Sequence, residues 1–318
     1  GRIHSMFMHP MTFDEFLLAN GKKFLLDYRK ESSPENPLPN SIHEALVEMF
    51  RTYMMVGGMP EAVAKWVESN DYLQCQQIQD DILVSYEDDF AKYKKKVDSQ
   101  LLRLSFRSVA SQIANKFVWT RVGAGYRIEK IKEAVQLLIQ AGIVIPVVHS
   151  HSNGLPLGSE ADYNYQKLLL LDSGLQLRLM NMTLGNSKES ATEILTSTAE
   201  DLVNKGSLAE MIAGLELLRY KSPEMRHELY YWNRTQRNSL SEVDYVDARD
   251  SQITPIEVKA SGQGGMKSLW IMMREKHLTN AYRCSLENFG KRQYTDAEDN
   301  AAVRNVKICP LYALSQMG

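Results

Sequence analysis

Hydrophobic and polar positions change period along the chain, from helical spacing in the first part to strand-length apolar runs in the last. The first 40 residues predict a short strand, a helix and a loop. Thr12-Phe13-Asp14-Glu15-Phe16-Leu17-Leu18 has the form of a capped helix start, and the Pro-rich stretch 31–40 is a loop by composition. Ser41 caps a second helix that runs to Gly57-Gly58-Met59-Pro60, where two glycines end it and Pro60 suits the first turn of the next. Residues 60–96 read as helical. Residues 99–150 read as two helices followed by a strand. Ile128, Ile131, Val135 and Leu138 follow helical spacing, with Glu129, Lys130, Lys132 and Glu133 turned away from them. Gly142 closes that helix. Ile143–Val148 is a strand and Gln166–Leu171 its partner, with the polar stretch 150–160 as the tip between them. Two helices and then a hairpin is the order of a winged helix.

Residues 181–205 are polar and weakly patterned, as a linker is. Beyond them the pattern predicts a helix (207–220), strands near 228–233, 242–247 and 253–260, a helix (267–277), a strand (280–286), a long polar loop (287–305) and a last strand (306–313). Helices flanking a mixed sheet make an α/β sandwich.

Composition adds little until it is read locally. The 318 residues are 44% hydrophobic and 24% charged, with a net charge of −2, as in an ordinary globular chain of two or three domains. Between 60 and 90 there are eight acids and one lysine, whereas 91–133 hold eleven Lys or Arg against three acids. The basic stretch is a candidate phosphate-contacting surface, the alternative being a solvated face that answers the acidic segment. Arg121, Arg127, Lys130 and Lys132, around the second helix of the winged-helix pattern, are its first candidates. No run of about 18 apolar residues exists, so no membrane span is expected. Three widely spaced cysteines, Cys75, Cys284 and Cys309, form neither a CxxC pair nor a disulfide framework, so a cytoplasmic protein is expected, and Cys284 and Cys309, on predicted strands, are expected to be core thiols. The first residue is Gly1, which predicts a longer gene product upstream.

The chemistry concentrates in Glu242-Val243-Asp244-Tyr245-Val246 and Pro255-Ile256-Glu257-Val258-Lys259. Residues i and i+2 of a strand share a face, so Glu257 and Lys259 point the same way, roughly 7 Å apart. If the preceding strand lies alongside, Asp244 joins them. Two carboxylates can hold a hard divalent cation, and a neighbouring lysine can position a water or steady a developing negative charge. The bland alternative, charges decorating an exposed sheet face, is weakened by the core-like Val243, Tyr245, Ile256 and Val258, because charge on the second face of a central strand is costly unless paired. A third acid could come from the preceding helix. Glu210 and Glu216 are both candidates, but six residues place them about 120° apart, so at most one joins.

Two further patterns carry less. Ser261-Gly262-Gln263-Gly264-Gly265-Met266-Lys267-Ser268 follows a strand and precedes a helix, yet its glycines are out of register for a Walker A loop, so no ATP hydrolysis is expected from this chain alone. His149 and His151 share a strand face without an obvious third metal ligand.

Together these segments resemble the prokaryotic predicted AAA-type ATPases whose C-terminal half is a conserved domain of unknown function. The resemblance rests on Gly1-Arg2 with His9–Phe16, on Gly57–Val63, on Lys167–Leu175, and on Glu216-Leu217, Tyr231-Trp232, Glu242-Val243-Asp244 and Pro255–Lys259. Residues 287–305 and 187–204 do not match clearly. The resemblance implies that a P-loop ATPase domain, through which ATP and an oligomer would come, precedes Gly1. It implies an α+β multidomain chain: the end of the ATPase region and linker helices (1–60), a helical and winged-helix domain (61–180), and a restriction-endonuclease-like PD-(D/E)XK domain (206–318). In that fold the matching positions are Asp244, Glu257 and Lys259, and Glu210 fits the helix acid better than Glu216. Asp244, Glu257 and Glu210 would then ligate Mg²⁺ or Mn²⁺, Lys259 would orient the nucleophile, and DNA would be the partner. An inactive docking module, or a regulator that only binds DNA, are the alternatives.

Overall fold

A computed structural model describes residues 4–93, 97–180, 205–236, 239–260 and 265–317. The expected linker falls at 181–204, outside the described residues, as do Lys94–Lys96 and most of the glycine-rich loop, 261–264.

The N-terminal part is helical, with α1 (Phe13–Ala19), α2 (Lys23–Lys30), α3 (Asn40–Val56), α4 (Pro60–Ser69) and α5 (Tyr72–Asp89). α1 begins as its sequence predicts. The Glu15 amide donates to Thr12 Oγ1 at 3.3 Å, and the Thr12 amide donates to Glu15 Oε2 at 2.7 Å, a reciprocal cap. Among the described residues, 4–12, the short strand expected before it does not form. The Met11 amide instead donates to the Gly58 carbonyl at 2.7 Å, so this segment closes on the α3–α4 elbow. That elbow explains the two glycines. Gly57 has φ +75°, and a Cβ there would stand 2.2 Å from Asp172 Oδ1; a Cβ on Gly58 would stand 2.2 Å from the Met11 carbonyl oxygen. Asp172 is buried and accepts from the Gly58 amide at 2.6 Å and the Leu175 amide at 3.1 Å. It thereby caps α8 (Ser173–Leu179).

The helix–helix–hairpin order appears as α6 (Ser99–Ser111), α7 (Ile128–Gln140), β1 (Val144–Ser150) and β2 (Ala161–Leu170). The hairpin, however, is not an isolated wing. β1 pairs with β2 on one side and runs parallel to β3 (Leu229–Gln236) on the other. With β4 (Ser239–Arg249), β5 (Gln252–Val258), β6 (Asn280–Ser285), β7 (Gly290–Asp296) and β8 (Ala302–Pro310) it builds one mixed sheet, in the order β2-β1-β3-β4-β5-β6-β8-β7. α9 (Lys205–Arg219) and α10 (Lys267–Glu275) supply apolar residues to two separate clusters. Leu208, Met211, Ile212 and Leu215 of α9 pack with Tyr231, Tyr245, Ile256 and Cys284. Leu269, Met272 and Met273 of α10 pack with Trp232, Val243 and Val246. The chain is therefore α+β, with a helical N-terminal part and an eight-stranded mixed sheet.

The cluster on the α9 side runs unbroken from α1 to Leu311–Met317. Arg29 of α2 is fully buried there, donating to the Tyr312 carbonyl at 2.7 Å and pairing with Asp14 at 2.6 Å. The three cysteines are free and buried, Cys284 and Cys309 as expected and Cys75 with them. One expectation differs: the polar stretch 287–305 is not a loop but contains β7, paired antiparallel with β8. β7 is an edge strand, and Lys291, Arg292, Gln293, Tyr294 and Thr295 are all exposed, so it lacks the apolar alternation by which a strand is recognised.

Candidate functional site

The acid–x–lysine strand and its neighbour lie side by side. β4 and β5 pair antiparallel with Tyr245 opposite Ile256, and the same register carried one step further sets Asp244 opposite Glu257. A bulge sits at this point. Tyr230 pairs with Val246 and Trp232 with Val243, so Tyr231 of β3 is opposed by both Asp244 and Tyr245. An extra residue breaks the alternation of faces. Val243 and Val246 pack on the α10 side, while Tyr245 packs on the α9 side and donates to the Glu210 carbonyl at 2.7 Å. The Asp244 side chain leans across to β5, where its Oδ2 accepts from the Val258 amide at 2.7 Å. Lys259 Nζ meets Glu257 Oε1 at 2.5 Å, and Glu257 is only 5% exposed.

Of the two candidate acids of α9, Glu210 faces this network. It reaches Lys167 on β2, whose Nζ lies 2.6 Å from Glu210 Oε1 and 2.5 Å from Glu242 Oε1, and 5.1 Å from the centre of the Tyr231 ring. Lys167 is fully buried. Glu216 is occupied elsewhere. Its Oε1 accepts from the Tyr53 hydroxyl at 2.7 Å and from Arg219 at 3.2 Å, and its Oε2 from the Phe13 amide at 3.1 Å, a lock between α9, α1 and α3.

The electrostatics tie these groups into one network of four carboxylates and two ammonium groups. Burial pushes Glu257 up to about 7, the charge of Asp244 pushes the same way, and Lys259 opposes. Burial pushes Glu210 up to about 8 against the pull of Lys167, with Asp244 adding to the rise. Asp244 is raised by burial, against Lys167 and the Val258 amide. Burial alone would lower Lys167, but Glu210, Glu242 and Asp244 more than reverse this and raise it.

A divalent cation can be tested against this donor set. Among the described residues no three His, Cys, Asp or Glu side chains are grouped so as to hold a metal ion. Glu257 Oε2, however, is buried without a hydrogen-bond partner beside Asp244. Mg²⁺ commonly takes one or two protein carboxylates and completes its shell with water and substrate phosphate, so Asp244 and Glu257 suffice for a single such ion. Glu210 is less available, because Lys167 already neutralises it.

Lys167 and Glu242 are the site residues that sequence reasoning missed. The available signal was a lone lysine at the head of Leu168-Leu169-Leu170, on a strand whose last four residues are all buried.

The basic candidates gather around the start of α7. Arg127 is its N-cap residue, Lys130 and Lys132 lie in its first two turns, and Arg121 ends the 3₁₀ turn 119–121. All four are exposed. Lys130 pairs with Glu133 at 2.7 Å and Lys132 lies 5.6 Å from the Trp119 ring centre. Part of the remaining basic stretch answers the acidic helix instead: Arg107 meets Glu87 at 2.9 Å, and Arg103 meets it at 3.7 Å. His149 and His151 stack edge to face, 4.9 Å between ring centres, and line a cavity of about 480 Å³; the His149 ring centre also lies 5.5 Å from that of Tyr231. Among the described residues no helix is long and apolar enough to cross a membrane.

No curated protein and no solved structure shows significant similarity to the chain. Two family models match parts of it. Residues 47–188 match a domain of unknown function, DUF8612, and residues 205–313 match another, DUF4143, a domain that sits C-terminal to AAA ATPase domains.

Proposed function

We propose that the sheet half of this protein is a metal-dependent phosphodiesterase of the PD-(D/E)XK type, delivered to DNA by the α6–α7 winged-helix unit and coupled to an AAA-type ATPase domain upstream. The observation that carries the reading is the meeting of Asp244, Glu257 and Lys259 at a bulge between two central strands, with one carboxylate oxygen buried and unpartnered. Asp244 and Glu257 would hold one Mg²⁺ or Mn²⁺, which when bound supplies a nucleophilic water and neutralises charge on the phosphate. The Val258 amide fixes the Asp244 carboxylate. Lys259, with its side chain 26% exposed, is free to swing from Glu257 toward an attacking water or a phosphate oxygen. Lys167 keeps Glu210 and Glu242 in place and fills the position between them, so the site accepts one ion and not two.

The test is cleavage of plasmid and branched DNA with Mg²⁺ or Mn²⁺, comparing wild type with Asp244→Ala and Lys259→Ala. The reading expects activity lost in both variants; equal residual activity in all three proteins removes it. Arg121, Arg127, Lys130 and Lys132 are the proposed duplex contacts. Replacing all four with Ala should weaken binding and flatten its salt dependence by up to about four phosphate contacts.

A second reading is favoured by the same buried lysine. With its ammonium permanently seated on Glu210 and Glu242, the domain would be a retired nuclease that serves as a docking module for the ATPase. It predicts no thermal shift in millimolar Mn²⁺, whereas the enzymatic reading predicts one.

A further inference from the structure

The cavity beside His149 has chemistry of its own. It lies between the β1–β2 hairpin, β3 and the end of α10, and Lys116, His149, His151, Tyr165, Trp232 and Lys276 stand among its walls. Its volume, about 480 Å³, falls within the range of small-ligand sites. Three features specify what would fill it.

First, it offers unneutralised positive charge. Lys116 Nζ lies 3.7 Å from the centre of the Tyr165 ring, and Lys276 Nζ is held by Asn153 Oδ1 at 2.5 Å; neither is ion-paired to a carboxylate among the described residues. Of the other charged groups on its walls, Arg234 pairs with Glu275, and the Asp162 carboxylate, which accepts from the Asn164 amide at 3.0 Å, sets one negative charge against the two lysines and leaves the cleft net positive. Second, it offers a buried acceptor. His149 is 5% exposed and burial lowers its pKa, so it is neutral. Its Nε2 faces the Asn233 carbonyl at 3.4 Å, and a carbonyl only accepts, so Nε2 carries the hydrogen. Nδ1 is then an acceptor, buried and without a partner. Third, it offers a flat surface, the ring of Tyr165, a residue that is 44% exposed. An anion, a hydrogen-bond donor and a planar ring together describe a nucleotide.

The cavity is also placed to matter. The Tyr231 ring links it to the acid network, its centre 5.5 Å from that of the His149 ring and 5.1 Å from Lys167 Nζ.

We propose that this cleft binds one nucleotide unit of a nucleic acid strand, its phosphate against Lys116 and Lys276, its base on Tyr165 and a sugar or base donor on His149, and so seats the neighbouring phosphodiester at Asp244 and Glu257. The last clause rests on the phosphodiesterase reading; the binding itself does not.

The experiment uses the full chain in EDTA, so that no hydrolysis intervenes, and measures fluorescence anisotropy of a labelled single-stranded tetranucleotide. Lys116→Met, Lys276→Met and Tyr165→Ala should each weaken binding about tenfold, with their melting temperatures and far-ultraviolet circular dichroism unchanged. Absence of binding by wild type, or undiminished binding by the two lysine variants, overturns the proposal. If wild type binds and the three variants bind more weakly, but wild type does not cleave once Mn²⁺ replaces EDTA, the cleft stands and the phosphodiesterase reading falls.

Discussion

Replacing Lys167 with Met removes a charge that the protein cannot easily do without. The ammonium is 1% exposed at its side chain and contacts Glu210, 12% exposed, and Glu242, 39% exposed. Glu242 can turn to water, so its loss counts for little. Glu210 cannot. Removing one partner of a buried pair costs about 3–5 kcal/mol, because the other charge is left uncompensated. An escape limits the cost: Glu210 can take a proton. Wild type already carries that proton at pH 7, because burial raises Glu210 to about 8 beside the lysine, so relative to wild type holding it costs about 1.4 kcal/mol per pH unit above 8, hence little at pH 7 and about 3 kcal/mol at pH 10. Urea denaturation of wild type, Lys167→Met and Lys167→Met/Glu210→Gln at pH 10 and pH 7 tests this. The single variant should lose about 3 kcal/mol at pH 10, most of which returns at pH 7 or with the second substitution. Millimolar Mn²⁺ should rescue the single variant more than the double. A loss of the same size at both pH values, or no recovery in the double variant, would refute the idea that Lys167 acts as a resident counter-cation.

Other outcomes follow from the same coordinates. Glu257 sits near 7 against an ordinary value of about 4.5, so between these values the folded state keeps a proton that the unfolded chain releases, and its stability falls as pH rises through that window. Glu257→Gln should therefore be more stable than wild type by about 3 kcal/mol at pH 8 and indistinguishable near pH 4.5, read by chemical denaturation. Gly58→Ala should lose several kcal/mol, because its Cβ would meet the Met11 carbonyl rather than a flexible side chain, and a differential scanning melt would show it. Glu216→Gln should destabilise the fold by about 2 kcal/mol, read from its urea midpoint, while leaving any divalent-cation binding intact, since its partners are Tyr53, Arg219 and the Phe13 amide.

Much of this arrangement was legible in the residues themselves. Period-2 apolar runs marked β4, β5 and β6. Helical spacing marked α7, and capping residues marked α1. Glu257-x-Lys259 placed a carboxylate and an ammonium on one side of a strand, because the pleat allows nothing else. These are local properties, and local sterics and hydrogen bonding decide them. What no local rule could supply is which strand lies next to which. The union of β1 with β3 carries Lys167 from a hairpin that reads as a separate wing into contact with Glu210 and Glu242, which lie 43 and 75 residues further along the chain. The bulge at Asp244 depends on the register between β3 and β4. The choice of Glu210 over Glu216 depends on which side of α9 meets the sheet, and β7 exists only because β8 offers it an edge. Pairing energies of this kind depend on which surfaces meet, and that is settled only when the whole core closes.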